Sequence, residues 1–178
     1  MRLRHDAGYV AGEIAVFVRR LVYELGGNQV GTVGRIELIP SLINVIAQRA
    51  ATSIDLRNTD DAILQEAERR LAAFVADLAK REGVSVATRS LARFAPVIFP
   101  NEMVSMVEQE AQSRGYSSAR LPSDAGHDAQ MMARVCPAGM IFVPSVGGLS
   151  HNVREHTEPQ HLDAGANVLL GLIQRLSR

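Results

Sequence analysis

Ser53-Ile54-Asp55-Leu56-Arg57-Asn58-Thr59-Asp60-Asp61 is the stretch where this chain changes its period. Ser53, Asp55 and Arg57 fall on one face of an extended backbone and Ile54 and Leu56 on the other, the alternation of a half-buried strand. The alternation predicts a strand from about Val45 to Arg57. Asn58 and Asp61 then stand in capping-box-like spacing. Beyond them Ile63, Ala67, Leu71, Phe74 and Leu78 recur at helical spacing up to Glu82, and Gly83 supplies a stop. A strand that hands over to an amphipathic helix within a few residues points to a layered fold, a sheet with helices packed on it.

The same reading extends outward in both directions. Upstream, Val10, Ile14, Phe17, Val18, Leu21 and Leu25 mark a helix from about Asp6 to Leu25, stopped by Gly26-Gly27-Asn28. Val30 to Ile39 reads as a strand closed by Pro40. Downstream, Val84 to Ala95 alternates as a further strand. Helix, strand, strand, helix, strand predicts an α/β unit over residues 1–96: a two-layer sandwich with an antiparallel sheet and its two helices on one face. Pro96 and Pro100 bracket a boundary. In residues 97–178, helices are expected from Asn101 to Arg114, from Asp128 to Val135, and from Thr157 to the end, with Thr157 and Gln160 in capping-box spacing. Tyr116 to Leu121 and Gly139 to Val143 read as short strands. An apolar strand with Ile and Val in succession prefers neighbours on both sides. The second segment supplies few, so it reads as one part of a larger α/β sheet domain.

Bulk composition narrows the function. The chain has 178 residues, 47% of them hydrophobic, and 19 Lys plus Arg balance 19 Asp plus Glu. A net charge of zero argues against electrostatic capture of nucleic acid or an anionic membrane. Cys136 is the single cysteine, which excludes an intrachain disulfide and a Cys-x-x-Cys metal cluster and favours a reducing, cytoplasmic setting. No apolar run approaches the roughly 20 residues that span a bilayer. The charged Met1-Arg2-Leu3-Arg4-His5-Asp6 is not followed by the apolar core of a signal peptide.

The chemistry-bearing residues cluster between Leu121 and Asn152. Ser123-Asp124-Ala125-Gly126-His127-Asp128-Ala129 and Gly147-Gly148-Leu149-Ser150-His151-Asn152 each set a histidine in a turn of small residues beside a short apolar run. Such turns place side chains and backbone N–H groups at the mouth of a site. Read by themselves, His127 is equally a structural histidine bonded to a neighbour, and Arg57 a solvated strand end. His156 and His161 read as surface residues.

These strings, together with Gly34-Arg35-Ile36-Glu37, Pro40, Asn44-Val45-Ile46 and Asp55-Leu56-Arg57, resemble the amidase/hydantoinase/carbamoylase family. That family includes N-carbamoyl-L-amino acid hydrolases and allantoate amidohydrolases, within the zinc aminoacylase/carboxypeptidase superfamily. Two positions depart from its pattern. Ala47 stands where a proline is usual, and Asp124 stands where the family has a glycine, so a carboxylate faces a site expected to take carboxylate substrates.

The resemblance implies a lid and dimerisation domain in residues 1–96 and the C-terminal part of a metal-hydrolase catalytic domain in residues 97–178. It implies hydrolysis of linear carbamoyl, ureido or amidine C–N bonds. Asn44 and Arg57 match substrate-binding positions, the arginine suited to hold a carboxylate through two parallel hydrogen bonds. Ala125, Gly126 and His127 match a site-lining segment. His151 matches a metal ligand for zinc or manganese. No catalytic residue is assigned, because the family's general base and its other metal ligands belong to an N-terminal half. Met1, Arg4, Asp6 and Ala7 look like the residues that follow the family's His-Ala-Gly-Thr-Thr-Pro. The chain by itself is therefore expected to be inactive, to hold no metal tightly and to pair with a second copy. The alternative reading is a non-catalytic dimerisation module.

Overall fold

The computed structural model describes residues 3–177. Of the residues that resemble the family's entry motif, Met1 lies outside them. The chain divides into two compact units, Met1–Pro96 and Val97–Arg178.

Unit 1 is built on a hairpin. Strands β1 (Val30–Ile39) and β2 (Arg49–Arg57) pair antiparallel, with Val33 opposite Ile54 and Arg35 opposite Ser53. Gly34 has no partner between them and forms a bulge. Helix α1 (Ala7–Leu25) opens on Asp6, whose carboxylate accepts from the Gly8 and Tyr9 N–H groups. It closes on Gly26 at φ 64°, a conformation that glycine adopts without strain. Helix α2 (Asp61–Glu82) ends on Gly83, which takes the left-handed helical conformation at φ 63° and ψ 34°.

Both helices cover one face of the hairpin. Val10, Ile14 and Val18 of α1 and Val75 and Leu78 of α2 bury against each other, with Val33, Ile54 and Leu56 of the sheet packed beneath them. A neighbouring cluster joins Phe17, Leu21 and Ala67, and the Phe17 and Phe74 rings stack at 4.0 Å. The polar alternates Asp55 and Arg57 occupy the opposite face.

Several boundaries differ from those read in the sequence. β2 begins at Arg49 rather than Val45, because residues 43–45 turn the chain after the cis Ile39–Pro40 bond. Asp60, not Asn58, caps α2: its carboxylate accepts from Ala62 and Ile63 N–H, while Asn58 accepts from Asp60 N–H and shapes the approach. The third strand expected at Val84 to Ala95 has no ladder partner among the described residues. Alternation reports an extended backbone, whereas a strand also needs a neighbour to share hydrogen bonds. This segment is tied to α2 instead, through Arg93 bonded to Glu68 and Asp61.

Unit 2 consists of helices around irregular chain. α3 (Asn101–Ser113) packs on α5 (Pro159–Leu176) through Met106, Ala111, Val168 and Leu172, with Ile141 and Tyr116 against them. The short α4 (Asp128–Met132) stops before the expected Val135. The strands expected at Tyr116 to Leu121 and Gly139 to Val143 also lack partners among the described residues. Arg120 fastens the first of them to α3 through Asn101, Ser105 and Glu108. α5 starts after Glu158 on Pro159, whose preset φ begins a helix, so Thr157 is not its cap. No helix among the described residues is long and apolar enough to cross a membrane.

Candidate functional site

In unit 1, Arg57 is the last residue of β2, half exposed on the face away from the helices. Its Nε and Nη2 both donate to Oδ2 of Asp55, at 2.9 and 2.5 Å. Two positions apart on a strand, these side chains share a face, so the guanidinium is held by its own strand. The backbone behind it is fixed by a residue that the sequence did not single out. Gln29 is 5% exposed, donates through Nε2 to the carbonyls of Val30 and Arg57, and accepts from Asn58 Nδ2. Its signal was one of two polar residues, Asn28 and Gln29, between Gly26-Gly27 and the strand, which turn-forming sequence also produces.

Asn44 lies exposed in the connection from Ile39 to Arg49. That connection is at the opposite end of the ladder from Arg57. Eight residue steps of β2, each about 3.3 Å, put about 26 Å of strand between the two ends. Unit 1 therefore does not bring Asn44 and Arg57 together. Around Asn44 the loop exposes Leu42, Ile43 and Val45, and an open groove of about 480 Å³ runs between this loop and the start of α1, past Tyr9 and Leu38. The Ala7 N–H donates to the Ala47 carbonyl there, which joins loop and helix.

In unit 2, Ala125, Gly126 and His127 form an exposed turn that leads into α4. His127 is the cap of that helix: its Nδ1 accepts from Ala129 N–H at 3.2 Å. An accepting Nδ1 leaves Nε2 to carry the proton in the neutral ring. His127 is thus bonded to neighbouring backbone but exposed rather than buried.

His151 is exposed in the turn after the short helical segment Val146–Gly148. Its backbone adopts φ 55°, and its N–H donates to Glu155 Oε2 at 2.9 Å. His156 is also exposed, 3.8 Å from Glu158, whereas His161 is half-buried on α5. Among the described residues no three His, Cys, Asp or Glu side chains gather as a metal cluster. A catalytic zinc takes about three protein ligands. The donors gathered among the described residues are fewer than such a site takes, so no step is derived through a metal.

Residues 5–175 match the family described as Peptidase family M20/M25/M40. An N-carbamoyl-L-amino-acid amidohydrolase of Rhizobium meliloti is 36% identical over 169 residues, which cover 95% of this chain and 41% of that protein. An allantoate amidohydrolase of Bacillus subtilis (strain 168) is 33% identical over 146 residues, covering 82% and 35%. A solved hydantoinase/carbamoylase family amidase from Burkholderia vietnamiensis superposes with a TM-score of 0.91 at 36% identity, covering 96% of this chain and 41% of that one. The chain spans about two fifths of the length of these relatives.

Proposed function

The chain belongs to the peptidase M20/M25/M40 family, and from that premise we propose that it forms part of an amidohydrolase that cleaves linear carbamoyl or ureido C–N bonds, of the N-carbamoyl-L-amino acid or allantoate type. The observation that carries this reading is the family match over residues 5–175, together with relatives of those names at 36% and 33% identity. In this reading residues 1–96 are the lid and dimerisation domain, residues 97–178 are the C-terminal part of the catalytic domain, and the protein works in a reducing cytoplasm.

Each assigned residue has a role suited to its chemistry. Arg57 holds the substrate carboxylate, with Asp55 aligning its guanidinium. Asn44 offers an amide to the ureido group. Ala125, Gly126 and His127 line the site, and His151 is a ligand for zinc or manganese in an assembled centre. Carboxylate recognition is testable on the chain itself. Titration with an N-carbamoyl-L-amino acid is expected to move backbone amide signals at the end of β2. Arg57→Ala should weaken that binding about ten-fold or more, as expected for losing hydrogen bonds to a charged group. Unmoved signals, or equal affinity in the variant, would reject the assignment.

Pairing of two copies through unit 1 is the accompanying proposal. On α1, Tyr9, Val16 and Tyr23 recur every seven residues and all are exposed, as are Leu42 and Ile43 in the loop. The hairpin also leaves β1 with an unpaired edge among the described residues, and such edges recruit strands. The distance between Asn44 and Arg57 supports the same reading, since one copy cannot set both on one small substrate. Light scattering at tens of micromolar is expected to give twice the chain mass. A monomer throughout that range would count against pairing. A dimer that binds none of the ligands would instead favour a non-catalytic dimerisation module.

A further inference from the structure

We infer that Glu155 is the positioning residue for His151. The starting point is the backbone. His151 is the only non-glycine residue at positive φ among the described residues, at 55°. L-residues avoid this region because the Cβ crowds the following carbonyl. The two other left-handed positions of this segment, Gly147 and Gly148, both at 67°, are filled by the residue that adopts it freely. A histidine at the third is an uncommon occupant, and its neighbours hold it in place.

A small ring of hydrogen bonds does the holding. Asn152 Oδ1 accepts from Arg154 N–H at 3.0 Å, and the Asn152 carbonyl accepts from Glu155 N–H at 2.9 Å. These bonds fold the turn back on itself and bring the Glu155 carboxylate to the His151 N–H, which donates to Oε2 at 2.9 Å. A charged acceptor makes this a stronger bond than a neutral one. The consequence is directional. With the backbone left-handed, the imidazole leaves the chain along a line that a right-handed residue would not give it. Glu155 thereby aims His151 without touching any ligand of its own.

The link to a metal-side role rests on the function proposed above, while the conformational claim does not. The test is local. In the isotopically labelled full chain, His151 should show the strong intraresidue amide-to-Hα Overhauser effect that marks positive φ. Glu155→Ala should lose it, with the melting temperature and the signals of the α3–α5 core unchanged. Glu155→Gln should restore it, because the amide oxygen still accepts. An undiminished effect in Glu155→Ala overturns the inference, as does a Glu155→Gln variant that fails to recover it. Either failure leaves the Arg57 titration unaffected, so the two readings are separable.

Discussion

Supplied with zinc or manganese, the 178-residue chain is expected to leave N-carbamoyl-L-amino acids and allantoate unhydrolysed. His151 is the one residue that resembles a family metal ligand, and no cluster of three potential ligands forms among the described residues. The nearest acid, Glu155, already accepts the His151 N–H. The carboxylates that would bridge metals and act as general base belong, by the family resemblance, to the other half of the enzyme. Loss of a general base alone costs ~100- to 10,000-fold in rate, and loss of most ligands removes the metal as well. Turnover measured on pure, metal-supplemented chain is the check. Metal-dependent hydrolysis that His151→Ala abolishes would sink the expectation and demand a second, unassigned site within the chain.

The second large effect is on stability. Leu21→Ala is expected to destabilise unit 1 by about 2–5 kcal/mol. Leu21 is 0% exposed and packs with Phe17 and Ala67, flanked by Leu25, Leu56, Leu71 and Phe74. Two of those neighbours are stacked rings, 6° from parallel, which cannot bend into a vacated space as an aliphatic chain would. The cavity should stay open, and the cost should fall in the upper part of the range. A domain of this size has only about 5–15 kcal/mol to lose. Urea unfolding should show a lower midpoint at unchanged slope. Leu3→Ala, at a residue 94% exposed, is the control and should change little. A loss below about 1 kcal/mol for Leu21→Ala would mean that the cluster is not packed as described.

Helices were the legible part of this fold. Of the residues read from their spacing, α1 buries Val10, Ile14, Phe17, Val18 and Leu21, together with Ala11, and half-buries Leu25. On α2 the spacing found Ala67 and Leu78, but Ile63 is exposed and Leu64 and Val75 are buried in its stead. Gly26 and Gly83 end their helices as a glycine signal predicts. A helix carries its hydrogen bonds within itself, so its sequence is nearly sufficient. A strand does not, and Val84 to Ala95 shows the difference: its alternation carries no information about a partner, and it has none among the described residues. Caps were legible only to within a residue or two, since Asn58, Asp60 and Asp61 are all competent acceptors and local geometry selected Asp60. At the candidate site, the resemblance nominated residues and the fold gives each a place. The Asp55–Arg57 pairing, the Gln29 anchor and the left-handed His151 were not legible, because each depends on backbone placement that residue types do not encode.

The unpartnered run after α2 has a consequence for handling the protein. Proteolytic enzymes bind their substrates as extended chain, and residues 85–94 have neither helix nor ladder to break. Arg89 lies within it, exposed, whereas Arg93 is occupied by Asp61 and Glu68. Trypsin should therefore find Arg89 before most other basic residues, and a nick there separates a fragment that keeps α1, β1, β2 and α2 from everything that follows. A run that alternation marked as a strand is thus expected to be an early point of cleavage in the folded chain.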